Sequence, residues 1–341
     1  MTPRTAYTSS IFGIIAAAIL AACTPVDKQA DNGQTASAPA ASAAEQKKIA
    51  ITAIADHPAL DTIRAGVLDG LKAEGFEEGK NLTVDFQSAQ GSTANAAQIA
   101  KKFAGANPDA IIAITTPSAQ AVAAATKNIP LIYTAVTDPV GAKLVPSLEP
   151  SHTNITGVSD ELPVGPQIDL MKKLVPNLKT IGYVYSPGEV NSTTVLERLK
   201  AKAAEQNIEV AAAPAQRSAD VLTAARSLGG KADVIFTSLD NNVVSSYESM
   251  YKASMELKIP LIASDADSVT RGAVAALGMD SFGTGQKAGK LAAAVLKGGK
   301  PGDMPSEKLD QLDLYLSKKH AAALGITLPE ELLKEAKEVK E

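Results

Sequence analysis

Two stretches of this chain, Ile129–Pro139 (IPLIYTAVTDP) and Ile259–Val269 (IPLIASDADSV), open on the same apolar tetrad and close on hydroxyls and carboxylates. They belong to an ordered repeat, and that repeat is what most restricts the fold. Lys48-Ile49-Ala50-Ile51 with Pro58 downstream is matched by Thr180-Ile181-Gly182-Tyr183 with Pro187. Asp109-Ala110-Ile111-Ile112 is matched by Asp233-Val234-Ile235-Phe236, and the opening pair follows next in both halves. Three landmarks in the same order predict two lobes of like topology. Short apolar strands are expected over 49–55, 82–88, 110–115, 131–136, 181–185, 209–213, 234–237, 261–263 and 273–277. Helical patterns lie between them, over 59–74, 94–105, 118–126, 193–206, 219–228, 243–257 and 285–297. Near-continuous apolar strands alternating with helices imply α/β units whose parallel sheets are covered on both faces.

The chain begins differently. Arg4 precedes the apolar stretch Ile11–Leu20, then Ala21, Ala22 and Cys23, which is the only cysteine. This is the layout of an export signal. Leu20-Ala21-Ala22-Cys23 resembles the bacterial lipobox, which implies a signal peptide over 1–22 and lipidation at Cys23. Residues 24–46 lack aromatics and are rich in Ala, Ser and Pro, so with Cys23 they read as a flexible tether. No apolar run reaches the ~18–20 residues of a membrane span. The expected place is outside a bacterial membrane, in the periplasm or at the cell exterior, held by lipid. A formal charge of −4 over 341 residues argues against nucleic acid as a partner.

Polar residues stand at the carboxyl ends of the strands: Asp56-His57-Pro58, Thr116-Pro117-Ser118, Asp138-Pro139, Ser186-Pro187, Asp240-Asn241 and Ser264-Asp265. Each could be no more than a helix cap. In open α/β sheets, however, ligands bind beyond the strand carboxyl ends, and helix N-termini attract anions. Two lobes facing each other would give one cleft. Thr115-Thr116-Pro117-Ser118-Ala119 offers hydroxyls, Thr116 and Ser118 above all, and backbone N–H groups suited to a carboxylate, and Asp138, Glu189, Asp240 and Asp265 offer charges suited to an ammonium. Asp138 and Asp265, which close the repeated runs, would then face each other across one ligand. Tyr133, inside a strand, reads as core, whereas Tyr185 and Phe282 flank loops and are candidates to stack on a ring.

The blocks AITAIADHPALDTIRAGVLDGLKAEGF, ITTPSAQAVAAATKNIPLIYTAVTDPVGAKLV, NITGVSDELP, YSPGEVNS, AARSL and IASDADSVTRGAVAALGMD resemble the ABC-transporter substrate-binding family of the tryptophan/tyrosine-uptake type, over about 47–329. The resemblance implies a type I periplasmic-binding-protein fold, with two Rossmann-like lobes joined by crossover strands. It also implies a free amino acid as ligand, usually aromatic, with an ABC permease and ATPase as partners. The motifs place His57, Thr116, Ser118, Thr137 and Asp138 on the first lobe's rim. Glu189, Asn191, Ser192, Asp240, Asn241 and Asp265 fall on the second. The expected division is 47–157 with 281–303 for the first lobe and 158–280 for the second. Crossovers are expected near 154–160, near 276–282 and between 304 and 312, and the remainder, 304–341, holds the last of these. Residues 328–341 read as a charged amphipathic helix. A monomer without cofactor is expected.

An enzyme is disfavoured. The three histidines, His57, His152 and His320, are scattered, and no HExxH, CxxC or GxSxG pattern occurs. His152 and His320 read as surface residues. Gly283-Thr284-Gly285-Gln286-Lys287-Ala288-Gly289 departs from the dinucleotide fingerprint and reads as close helix packing. A chain without Trp, with seven Tyr and six Phe, is a poor sugar stacker, which leaves a branched-chain amino acid or a nucleoside as the alternative ligands.

Overall fold

The computed structural model describes residues 46–309 and 311–341; the expected signal segment, Cys23 and residues 24–45 lie outside the described residues. The first lobe runs β1 (Lys47–Ala53), α1 (Pro58–Ala73), β2 (Leu82–Ser88), α2 (Thr93–Ala106), β3 (Ala110–Ile114), α3 (Thr116–Ala125), β4 (Leu131–Val136) and β5 (Ile155–Ser159). The chain then enters the second lobe through α4 (Val164–Leu174), β6 (Thr180–Tyr185), α5 (Val190–Ala204), β7 (Glu209–Pro214) and α6 (Val221–Arg226). There follow β8 (Val234–Thr237), α7 (Asn241–Ser245), α8 (Tyr247–Leu257), β9 (Leu261–Ala263), α9 (Ala266–Thr270) and β10 (Ala275–Gly278). The rest is α10 (Ser281–Leu296), β11 (Glu307–Lys308), β12 (Asp313–Ser317), α11 (Lys318–Ala323), α12 (Glu330–Glu335) and β13 (Glu338–Lys340).

Among the described residues these strands form a six-stranded parallel sheet, β11-β5-β4-β3-β1-β2, and a seven-stranded sheet, β13-β12-β10-β9-β8-β6-β7. In the second sheet only the β10–β12 pairing is antiparallel. Ala110–Ile114 and Leu131–Val136 are buried along their whole length, because helices cover both faces. The matched landmarks occupy equivalent places: β1 and β6, then β3 and β8, then β4 and β9, are neighbours in the same order in their sheets.

The backbone passes between the sheets after β5, after β10 and after β11. The second passage is held by glycine. Helix α10 follows a strand of the second sheet yet lies against α1 of the first lobe, at backbone contact. A Cβ on Gly285 would stand 2.0 Å from the Ile63 carbonyl oxygen, and one on Gly289 would stand 2.2 Å from that of Val67. Gly66 and Gly70 on α1 face the same constraint, at 2.2 and 2.3 Å from the Phe282 and Gln286 oxygens. The glycine-rich run therefore packs helices.

Three expectations are corrected. The 243–257 helix is broken at Ser246 into α7 and α8. The 328–341 segment is helical only over α12; it then turns into β13, which pairs with β12 and lets Val339 pack on the second core. His320 is buried, edge-on to Tyr251 with ring centroids 5.2 Å apart, although its lysine-rich neighbours suggest surface. His152 is exposed as read, and Tyr133 is wholly buried in β4. No described helix is long and apolar enough to cross a membrane.

Candidate ligand cleft

The carboxyl ends of β1, β3, β4 and β5 face those of β6, β8, β9 and β10 across a cleft of about 840 Å³, part of it open to solvent. Its wall is mainly apolar: Ala55, Ala59, Leu60, Ile63, Ala135, Leu162, Leu239, Val244 and Met279. The polar lining is His57, Thr115, Thr116, Thr137, Asp160, Asn191, Asn241, Ser245, Ser264, Asp265, Ser281 and Thr284. No group of three or more potential metal ligands occurs among the described residues.

Of the residues expected from sequence, His57, Thr116, Thr137, Asn191, Asn241 and Asp265 line this cleft, and Ser118, Asp138, Glu189, Ser192 and Asp240 do not. The difference lies in what each side chain is already bonded to. Asp240 is fully buried and caps α7. It accepts from Ser186 N (2.6 Å), Ser186 Oγ (2.8 Å), Ser192 Oγ (2.5 Å) and Val243 N (3.0 Å). Four donors leave it no capacity for an ammonium, and they absorb Ser192 as well. Asp138 accepts from Gly141 N at 2.8 Å and pairs across the lobes with Arg198 of α5 at 3.4 Å, while Arg198 also holds Glu161 at 3.1 Å. Asp138 is thus part of a latch beside the cleft and does not face Asp265 across it. Asp265 does line the cleft, but caps α9, accepting from Ser268 N (2.9 Å) and Oγ (2.6 Å). Burial raises the carboxyls of Asp240 and Asp265 above their usual range.

Ser118 is wholly buried at the third position of α3, its hydroxyl without a partner. Glu189 stands behind the wall. Its Oε2 accepts from Asn191 Nδ2 (3.0 Å), Asn241 Nδ2 (2.7 Å) and Asn241 N (3.2 Å). Burial, and then the neighbouring Asp240, push its carboxyl upward. Tyr185 packs on the second core and Phe282 lies outside the lining, so neither stacks in the cleft.

The unspent polar atoms are elsewhere. Thr115, Thr116, Asp160 and Asn191 each line the cleft and carry a buried oxygen with no partner: Oγ1, Oγ1, Oδ1 and Oδ1. Helix α3 has no side-chain cap, whereas α2, α7 and α9 are capped by Ser92, Asp240 and Asp265. Its first N–H groups and two threonine hydroxyls therefore form a donor cluster suited to an anion. The backbone there is strained. Thr115 sits at φ 83°, ψ 156°, a region disfavoured for a β-branched residue, and Ala135 at φ 52° breaks the β4–β5 register.

Asp160 was missed because NITGVSD reads as a passage between lobes. It is in fact β5 followed by the same hydroxyl–carboxylate ending seen at the other strands. Burial pushes its carboxyl up to about 6, with nearby Thr137 acting in the opposite direction. On the far side, Arg271 of the second lobe approaches His57 of the first, Nη1 to Nε2 2.8 Å, while also bonding Val244 O and Glu248. Ala59 N points at His57 Nδ1 at 3.2 Å. A neutral ring offers one accepting nitrogen, and the shorter contact with a permanent cation takes it. Burial and then Arg271 hold the imidazole down to about 4.

Residues 48–340 match the family model for ABC transporter substrate binding proteins. The chain is 42% identical, over 83% of its length and 82% of the relative's, to a tyrosine-binding protein of Clostridioides difficile strain R20291. It is similar to the ABC domain from Streptococcus pneumonia solved in complex with L-Trp, with 36% identity and TM-score 0.84 over 86% of this chain and 100% of that one. It is also similar to a ligand-free, open substrate-binding protein from Clostridium difficile, with 40% identity but TM-score 0.66 over 86% and 99%.

Proposed function

The chain belongs to the ABC transporter substrate-binding protein family, whose type I periplasmic-binding fold it shares, and we propose that its cleft captures one free aromatic amino acid. Members of this family act outside the cytoplasmic membrane and serve an ABC transporter. The observation that carries the ligand reading is that unspent donors and acceptors line one cleft. Thr115, Thr116 and the uncapped start of α3 take the carboxylate. Asp160 Oδ1 takes the ammonium, and the apolar wall from Leu60, Ile63, Leu162, Leu239, Val244 and Met279 takes the ring. The tyrosine- and tryptophan-binding relatives support an aromatic side chain.

Capture works by closure. Ligand held by both lobes stabilises the closed arrangement by its differential affinity, helped by the Arg198–Asp138 and Arg271–His57 contacts. The closing bodies are the two lobes, each a sheet with its covering helices, and the loaded protein passes its cargo to permease and ATPase subunits as a monomer. Lipid on Cys23 keeps it at the membrane, and membrane fractionation of Cys23→Ser, expected to release the protein, tests that anchor. Calorimetry of the folded body with L-tyrosine, L-tryptophan, L-phenylalanine, L-leucine, adenosine and ribose tests the ligand reading. Micromolar or tighter binding of an aromatic amino acid is expected, and heat only from ribose or adenosine would overturn it.

A further inference from the structure

Resting on that amino-acid reading, we infer that Glu189 is a positioning residue: it turns the second lobe's wall into a hydrogen-bond acceptor for the ligand's ammonium. The argument starts from donor and acceptor inventories. An ionised carboxylate only accepts, and an asparagine amide accepts at oxygen and donates at nitrogen. Glu189 Oε2 gathers Asn191 Nδ2 at 3.0 Å and Asn241 Nδ2 at 2.7 Å. The remaining donor of Asn191 goes to the Leu239 carbonyl at 3.0 Å. With its nitrogen spent, Asn191 can present only oxygen to the cleft. Oδ1 is that atom, buried in a residue 4% exposed and without a partner.

Amide orientation is ordinarily ambiguous. Here a flip would set the Asn191 oxygen against both a carboxylate and a carbonyl, so the chemistry fixes it. The wall thus holds two orphaned acceptors, Asn191 Oδ1 from the second lobe and Asp160 Oδ1 from the end of the first sheet. A carboxylate would be repelled by both. An ammonium, with three donors, satisfies both at once and ties the lobes together. Glu189 itself touches no ligand. All of its side-chain hydrogen bonds converge on Oε2, leaving Oε1 free to be charged, protonated or replaced by an amide nitrogen. A glutamine can therefore do its work and a methionine cannot.

The test measures dissociation constants for L-tryptophan and for indole-3-propionate, which lacks only the amine. Glu189→Met is expected to weaken tryptophan about tenfold while moving the propionate less than twofold. Glu189→Gln is expected to stay within threefold of the wild type for both. Asn191→Ala, with Glu189 intact, gives the same selective loss and decides the matter if Glu189→Met does not fold. Equal weakening of both compounds, no weakening in either variant, or a Gln variant no better than Met overturns the inference. A wild type that binds no aromatic amino acid overturns the underlying reading as well, and is told apart because it fails before any substitution.

Discussion

Asp160→Asn should separate binding from stability, with opposite signs. The carboxyl is buried at the end of β5, and its Oδ1 has no partner. Burial moves it from 3.8 to about 6, and about 2 units at 1.36 kcal/mol each is about 3 kcal/mol that the unliganded protein gives up to keep it ionised at neutral pH. The folded value lies above the unfolded one. The group therefore favours the fold most below pH 3.8, and that contribution is lost as pH rises through about 6. The neutral variant keeps the shape without the charge. At pH 7.5 its ligand-free melting temperature should rise by ~5 °C, and the gain should shrink toward pH 4. Its affinity for an aromatic amino acid should fall at least 30-fold, since a buried charge-assisted contact is worth roughly 2–5 kcal/mol. Differential scanning calorimetry and titration calorimetry read the two effects. A variant that melts lower and binds as the wild type does would make Asp160 a structural residue and remove it from the cleft's chemistry.

Other outcomes follow from the same bonds. Gly285→Ala forces a Cβ to 2.0 Å from the Ile63 oxygen and should cost about 3 kcal/mol or more, seen in thermal unfolding; Gly165→Ala, whose nearest neighbour would be Lys202 Cε at 3.8 Å, should be neutral or slightly stabilising. Asp240→Ala strands four buried donors and should cost roughly 2–4 kcal/mol of stability; unchanged melting with affinity alone lost would return Asp240 to the binding wall. Arg198→Ala removes a half-exposed inter-lobe pair, so ligand affinity should drop no more than ~5-fold, less in high salt, and an unchanged dissociation constant at low salt would dismiss the latch. His57 is held at about 4, below its ordinary 6.5, so its support of the fold is complete above pH 6.5 and lost as pH falls toward 4. In the Asp160→Asn background, which removes the opposing slope, His57→Gln should flatten that acid-side decline in melting temperature.

Much of the fold could be read from one-dimensional pattern. Apolar runs of strand length, helices between them and polar residues at each junction dictate α/β units, and the ordered repeat dictates two of them. The glycines of Gly283–Gly289 announced close packing, and α10 meets α1 at backbone distance. The candidate residues were legible only as a set of junctions. Six of the eleven expected side chains line the cleft, and the choice among them turned on hydrogen bonds between distant segments.

Asp138 and Asp265 show the reason best. In sequence they end equivalent strands and look interchangeable. In the structure Arg198, some sixty positions away, takes the first, and Ser268 at the start of α9 engages the second. Asp160 escaped notice because β5 is short and lies where the chain leaves the lobe, yet its Oδ1 is the buried carboxylate oxygen left without a partner among the described residues. Sequence determines where polar groups are delivered, since strand ends and helix starts follow from local pattern. Only the tertiary structure decides which of them remain unspent, because a buried carboxylate bonds whichever donors the fold brings to it.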